Sequence, residues 1–445
     1  MKSNISKYSI SNPDEKTVSM FTLGCKVNQY ETQAMEKMFE DKGYSIVKDD
    51  EFSDIYVINT CTVTNLSDRK SRQFIRRAKK TNKDSIVVVV GCYSQVAPEE
   101  VEKIEGVDVI IGTSDRNRIV ELCEQAKAES KQLNIVRNIR TYDEFEEINV
   151  DDIKSMTRAY IKIQDGCNQF CSYCIIPYAR GPIRSRKIYD IIEETKKLAA
   201  SGFKEVILTG IHIASYGKDI ASLSLADVIE EISRVDGIER IRLSSVEPNL
   251  ITEDFMKVIV DSKKVCDHFH LSMQSGCDRV LKMMNRKYSS SEYREKVEII
   301  RKYMPSAGIT TDVIVGFPGE TEEDFEETYN FVKDIGFSRI HVFKYSPREG
   351  TPASRYENQI HGATKNYRSE RLIKLGDNLM RDFSSRYIAK NLEVLFEEEK
   401  AGYHEGYTSN YIRVKAFSDK NLVGQVVKLD IVNYENDYLV GEIGR

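Results

Sequence analysis

Apolar runs of five or six residues, each followed by an amphipathic stretch, recur through the first 140 residues. Short runs of this kind read as buried parallel strands, and the stretches between them as covering helices. Strands are expected at 18–23, 55–59, 86–90 and 107–111, with helices at 31–41, 67–80, 98–105 and 116–128. Such alternation predicts a doubly wound parallel sheet. It resumes with six apolar runs at 159–164, 205–209, 240–244, 268–273, 311–315 and 339–343. These predict a partial (β/α)6 barrel with its chemistry at the strand C-termini. A charged amphipathic helix at about 369–390 follows, with Leu372, Ile373, Leu375, Leu379 and Phe383 on its apolar face. Glycine-punctuated runs at 392–397, 412–416, 422–429 and 439–443 then predict a small five-stranded antiparallel barrel.

Residues 141–152 carry six acids and no base, without a clear period, and read as a solvated linker. The chain thus divides into a tail (1–16), a sheet domain (17–140), the acidic linker (141–152), the partial barrel (153–380) and the small barrel (381–445). The fold class is α/β.

Composition narrows the setting. At 445 residues, 40% hydrophobic and 30% charged, the chain is typical of soluble globular proteins. No run approaches the roughly 18 apolar residues of a membrane span. The start, Met1-Lys-Ser-Asn-Ile-Ser-Lys, has no apolar segment of the signal-peptide kind. Nine cysteines, an odd number, then argue for reduced thiols, metal ligation and a cytosolic location. The net charge of −5 is unevenly spread: residues 68–83 hold eight basic side chains, including Arg72, Arg76 and Arg77, against the single acid Asp68. A helix so charged is either a solvated face or a phosphate-tracking surface. Residues 381–445, with nine Lys/Arg and eleven Asp/Glu, give no such support for RNA binding.

The most informative run is Asp165-Gly-Cys167-Asn-Gln-Phe-Cys171-Ser-Tyr173-Cys174. Its three thiolates can ligate a 4Fe–4S cluster and leave one iron open, and an open coordination position marks a reactive site. Structural zinc would need a fourth Cys or His, and none is nearby. Cys25, Cys61 and Cys92 each follow a predicted strand of the first domain. Strand C-termini are where ligands bind in open α/β sheets. One such cysteine would read as a buried apolar residue; three in the same position read better as a second three-cysteine site. Cys123 reads as core, and Cys266 and Cys277 have no partner at ligand spacing. Arg180, Arg184 and Arg186 follow the cysteine loop and suit phosphate or carboxylate binding. Ser245, Glu247, Gln274 and Ser275 follow the third and fourth strands, and Gly316 opens a turn after the fifth that would allow close backbone approach to a ligand or simply a tight turn.

The CxxxCxxC triplet with Tyr173 before its third cysteine resembles the radical S-adenosylmethionine (SAM) enzymes. Nearly everything after residue 16 resembles the radical-SAM methylthiotransferases. The resemblance rests on Thr22-Leu-Gly-Cys25-Lys-Val-Asn28, Asn59-Thr-Cys61-Thr-Val-Thr, Gly91-Cys92 and Tyr345-Ser-Pro-Arg-Glu-Gly-Thr351-Pro-Ala. It implies a SAM-cleaving cluster on Cys167, Cys171 and Cys174. It also implies a second 4Fe–4S cluster on Cys25, Cys61 and Cys92 that presents sulfur, and a C-terminal TRAM domain. Two SAM molecules would serve each C–H to C–S–CH3 conversion, one as radical source and one as methyl donor. An electron donor such as a flavodoxin or ferredoxin would be a partner. Tyr173, Thr209, Gly210, His212, Ser245, Glu247, Gln274, Ser275 and Gly316 would surround SAM.

Within this family, residues 23–32 and Thr209-Gly-Ile-His212 most resemble the branch acting on N6-threonylcarbamoyladenosine beside the tRNA anticodon. Arg184 would then be one possible partner for the threonyl carboxylate. Isopentenyladenosine tRNA and a ribosomal-protein aspartate are the alternatives; Lys26-Val27-Asn28 matches neither Gln-Met-Asn nor Pro-Lys-Asn, their respective signatures. A different class, an iron–sulfur RNA-binding protein without catalysis, fits less well with an intact triplet beside polar strand ends.

Overall fold

The computed structural model describes residues 16–49, 51–148, 157–220 and 223–443. The chain forms two compact units. The first 15 residues and 149–152 of the expected linker lie outside the described residues.

The first unit is a parallel sheet of β1 (Thr17–Thr22), β2 (Ser45–Val47), β3 (Ile55–Thr60), β4 (Ile86–Gly91), β5 (Val109–Ile110) and β6 (Leu133–Asn134). The spatial order is β2-β1-β3-β4-β5-β6. Both faces are covered. On β4, Val88 and Val90 pack with Met35 and Phe39 on one side; Val87 and Val89 pack with Ile75 on the other. That is why β4 reads as an unbroken apolar run rather than an alternating one. The short strands β2 and β6 escape the sequence pattern because two or three residues cannot display a period. The helix expected at 98–105 is shortened to Pro98–Glu102, and a further short helix, Cys92–Val96, precedes it.

The acidic segment is not wholly solvated over its described part. Glu146 is buried, and its carboxylate accepts from Arg116 Nε at 2.8 Å. Arg116 also meets Glu31 at 2.7 Å, and Tyr30 donates to the Ile148 carbonyl. One acid that looks solvated in sequence, Glu146, is here the counter-charge of a buried guanidinium, while Asp143, Glu144 and Glu147 are exposed.

In the second unit, β7 (Arg158–Asp165), β9 (Glu205–Gly210), β10 (Arg240–Leu243), β11 (His268–His270), β12 (Gly308–Val315) and β13 (Arg339–Lys344) are the six expected strands. A two-residue strand, β8 (Arg184–Ser185), adds an antiparallel edge to β7. Single bridges at Ile241↔Val265 and Val246↔Leu271 carry the order from β10 to β11. One face, with Ile161, Leu208, Leu243, Phe269 and Val313, is buried under the helices. The other carries Lys162, Thr209, Arg242, His270, Asp312 and His341, by strand register.

After the helix Gly362–Ser385, β14 (Asn391–Lys400), β15 (Tyr403–Thr408), β16 (Arg413–Phe417), β17 (Val426–Glu435) and β18 (Tyr438–Ile443) close into a barrel. This is the expected five-stranded barrel, antiparallel in four of its pairs, with β16 and β18 pairing parallel. An odd number of strands cannot alternate direction around a closed ring, so one pair must run parallel.

This barrel is fastened to the N-terminal ends of the core strands by charge. Glu205 is fully buried and meets Arg242 at 2.6 Å, with Arg158 and Arg240 each at 3.9 Å. Burial would raise the Glu205 carboxyl, but the Arg242 charge and hydrogen bonds outweigh it and hold it below the usual range. Arg242 donates on to the Ser409 carbonyl, and Arg158 meets Glu397 at 2.6 Å. Glu205→Gln strands three guanidinium groups beside one remaining carboxylate. Breaking a buried pair costs about 3–5 kcal/mol. The expected result is faster amide exchange throughout 391–443, read by hydrogen–deuterium exchange.

Candidate active site

The cysteine loop leaves β7 at Gly166, whose φ is +75° and whose missing Cβ would stand 1.7 Å from the Pro182 carbonyl. Only glycine fits that corner. Cys167 N donates to Gly181 O at 3.0 Å, and Cys174 N to Cys171 O at 2.9 Å. Ser172 is held from three sides: its N by Met284 O, its hydroxyl by Met283 O and its carbonyl by Ala353 N. The Gly350-Thr-Pro-Ala353 run thus braces the loop. Burial pushes the Cys167 thiol up to about 11 and the Cys174 thiol up to about 12. Such thiols stay protonated at neutral pH unless a metal draws off the proton.

A polar chain runs from this loop to the neighbouring strand ends. Arg286, which no spacing or motif singled out, donates to Cys171 Sγ at 3.4 Å and meets Glu247 at 3.0 Å. Tyr288 lies under its guanidinium at 4.9 Å. Glu247 also meets His212 Nε2 at 3.2 Å. Burial alone would raise the Glu247 carboxyl; the His212 hydrogen bond and the Arg286 charge overcome it and keep it low. Gln164 accepts from His212 N at 2.7 Å and donates to the Gly166 carbonyl, tying β9 to the loop. Gly210 admits this closeness, since a Cβ there would lie 2.9 Å from Gln164 O. A cleft of about 460 Å³, lined by Gln169, His212, Lys218, Glu247 and Asn249, opens beside them.

Tyr173 is half-buried against Cys277, Met284, Phe317 and Tyr345. Thr209 is buried at the end of β9, and Ser245 is exposed beyond β10. Gln274 has φ +71°, and its backbone joins β12 through Asp312 O and Ile314 N. Two expectations are corrected. Ser275 is buried with its hydroxyl 3.0 Å from Thr328, so it ties the strand end to a helix and does not face a ligand. At Gly316 the space a Cβ would take is filled by Lys365 Cγ at 2.3 Å, so the close approach there is by the chain itself.

The arginines after the loop are also corrected. Arg180, Arg184 and Arg186 are all buried. Arg180 and Arg184 lie 3.4 and 3.7 Å from Asp165, and Arg186 pairs with Glu194. Tyr142 covers Arg184, and Phe145 covers Arg186 and Lys162. Lys162 holds the same Asp165 at 2.6 Å, so Arg180 and Arg184 are buried in a shared charge cluster, and none of the three guanidinium groups stands open to solvent.

In the first unit, pairing of Thr22 with Asn59 and of Thr60 with Gly91 puts Cys25, Cys61 and Cys92 past three adjoining strand ends. Asn28 Nδ2 donates to both Leu23 O and Thr60 O, lacing the first two ends together. Gly24 lies so close to Cys61 that a Cβ would meet its Cβ at 2.7 Å. Cys25 is exposed, whereas Cys61 and Cys92 are buried. No set of three Cys, His, Asp or Glu side chains among the described residues is already converged on a metal-binding point. The fit to iron–sulfur clusters therefore rests on donor chemistry and placement: thiols only, in threes, at strand C-termini.

The basic helix is Asn65–Thr81. Arg69, Arg76 and Arg77 are exposed; Arg72 donates to Tyr93 OH at 3.1 Å. Arg69, Arg72, Gln73 and Arg76 line a surface cleft of about 340 Å³.

Residues 161–332 match the Radical SAM superfamily, and residues 17–112 match the Uncharacterized protein family UPF0004. The chain is 44% identical to the threonylcarbamoyladenosine tRNA methylthiotransferase MtaB of Bacillus subtilis, over 96% of each chain. It is 40% identical to the protein of that name from Aquifex aeolicus, over 93% of this chain and 99% of the other. It is 36% identical to a tRNA-2-methylthio-N(6)-dimethylallyladenosine synthase of Alkaliphilus oremlandii, over 96% and 93%. Among solved structures, the radical SAM methyltransferase TsrM of Kitasatospora setae shares the fold, with a TM-score of 0.56 at 15% identity over 76% of this chain and 77% of that one. With near-full-length relatives at this identity, the chain belongs to the radical-SAM methylthiotransferase family.

Proposed function

We propose that the protein is a tRNA methylthiotransferase that converts N6-threonylcarbamoyladenosine, 3′ to the anticodon, into its 2-methylthio derivative. The observation that carries this reading is the three-cysteine loop beside the Glu247–His212 cleft, in a chain 44% identical end to end to an enzyme named for that substrate. Cys167, Cys171 and Cys174 would hold the cluster that cleaves SAM, and Cys25, Cys61 and Cys92 the cluster that presents sulfur. When bound, these groups supply the electron and the sulfur. The protein's own part is placement. Arg286 steadies Cys171 and Glu247 together, and Glu247 with His212 offers a carboxylate and an imidazole to the ammonium and hydroxyls of SAM. Tyr173, Thr209, Gly210, Gln274 and Ser245 fill out the surroundings of SAM.

The exposed guanidinium groups of Asn65–Thr81 would track the tRNA backbone. The small barrel would act as a TRAM domain. A low-potential donor of the flavodoxin or ferredoxin kind would reduce the clusters, in the cytoplasm where tRNA is modified; no described helix is long and apolar enough to cross a membrane.

The test is nucleoside mass spectrometry of threonylcarbamoyladenosine tRNA incubated anaerobically with reconstituted protein, SAM, sulfide and reductant. The expected result is a new 2-methylthio-N6-threonylcarbamoyladenosine peak. Its absence, with clusters loaded and SAM cleaved, sinks this substrate and points to the dimethylallyladenosine reading suggested by the 36% identical relative of Alkaliphilus oremlandii.

A further inference from the structure

The uncovered face of β11–β13 carries a set of side chains that the SAM site does not use. Register places His270 opposite Thr310 and Thr310 opposite Arg339, then Asp312 opposite His341 and Ile314 opposite Phe343. Alternate residues of the same strands, Phe269, Ile309 and Val313, are buried against the helices, so this row points the other way. It is also accessible. Arg339 is exposed, His270, Asp312 and His341 are partly buried, and Phe343 is 49% exposed.

The row is ordered by its own contacts. His270 Nδ1 is 3.0 Å from Thr310 Oγ1, and its Nε2 is 3.2 Å from Asp312. Asp312 is thus answered by His270. The His341 ring lies against His270 at 5.9 Å. At the upper end, Ile314, the partner of Phe343, packs into the cluster that contains Tyr173 of the cysteine loop. The row therefore runs from the loop, through an aromatic ring, to two histidines and an arginine.

We propose that this face is the subsite for the modified base: Phe343 stacks the adenine, and His341 with Arg339 takes the carboxylate of its N6 substituent. The proposal rests on the substrate reading above and supplies a determinant of it. A base on Phe343 lies beside the cysteine loop, which is where its reacting carbon must be. A strand rise of about 3.3 Å per residue sets His341 about 6.6 Å further along, with Arg339 beyond it. The carboxylate is one short urea link away from the ring and would fall on the histidine side, where Asp312 is already engaged by His270 at 3.2 Å. Base stacking on an aromatic ring tolerates any base, so His341 and Arg339 would carry the choice between an anionic and an apolar substituent. An apolar isoprenoid group offers them no partner and leaves both desolvated without compensation.

The experiment compares binding of reconstituted protein to threonylcarbamoyladenosine tRNA and to the same transcript without the modification. The ratio is taken within each variant, so a loss of folded protein lowers both arms alike. Wild type is expected to prefer the modified tRNA at least about tenfold, His341→Ala to lose most of that preference, and His341→Gln to keep part of it, as a retained hydrogen-bond donor would. Phe343→Ala is expected to weaken both arms alike through lost stacking, by about 5- to 150-fold, and to leave the ratio unchanged. An undiminished ratio in both His341→Ala and Arg339→Ala, with wild-type turnover intact, overturns the proposal alone. Wild-type protein that makes no product from threonylcarbamoyladenosine tRNA overturns the substrate reading and the proposal with it.

Discussion

Cys174→Ser is expected to abolish both SAM cleavage and product formation. The loss should exceed the 10–100-fold that is typical when only a group supporting a metal ligand is changed. Burial already pushes the Cys174 thiol up to about 12, so the site is hostile to an unligated anion. A serine hydroxyl ionises far less readily than a thiol and offers iron a harder, weaker donor. With two thiols remaining, Cys167 and Cys171, the loop can no longer hold three irons while leaving the fourth open. Replacement hardly disturbs the fold, because the loop is fixed by backbone groups: Cys167 N on Gly181 O, Ser172 N on Met284 O, and Ala353 N on Ser172 O. Iron content and 5′-deoxyadenosine release are the measurements. Wild-type 5′-deoxyadenosine release by Cys174→Ser would remove the loop from the mechanism altogether.

Cys61→Ala should separate the two halves of the chemistry. Product formation is expected to fall below detection while 5′-deoxyadenosine is still released, and iron should drop from about eight to about four per chain. Cys61 follows β3 directly, beside Cys92 in register, and is buried. Alanine keeps the Cβ against which Gly24 packs, so the strand ends remain laced by Asn28. What disappears is one of three sulfur donors. If product formation and 5′-deoxyadenosine release fall together, the trio serves electron supply and not sulfur insertion.

Some features were legible because they are local. The CxxxCxxC loop declares itself by spacing, and six apolar runs declare six core strands. Others were misread because they depend on partners far along the chain. Arg180, Arg184 and Arg186 look like phosphate ligands until Asp165 and Glu194 are brought to them and Tyr142 and Phe145 cover them. Arg286 looks like any surface arginine, since its partners Cys171 and Glu247 are 115 and 39 residues away. In the small barrel, the strand Tyr403–Thr408 lacks an apolar run and so escaped notice, although the expected number of five strands already required one parallel pair.

By itself the sequence determined the strand–helix alternation, the placing of six thiols at strand ends, and the chemistry those thiols admit. These follow from side-chain period and from donor types within a few residues of one another. Only the tertiary structure decided which charges are solvent-facing and which are neutralised inside. It also decided which of several polar strand ends share a cleft with the cysteine loop, and which face of β11–β13 stays open beside it. Burial and pairing are properties of residues brought together across long stretches of chain, and a linear pattern carries no record of who the partner is.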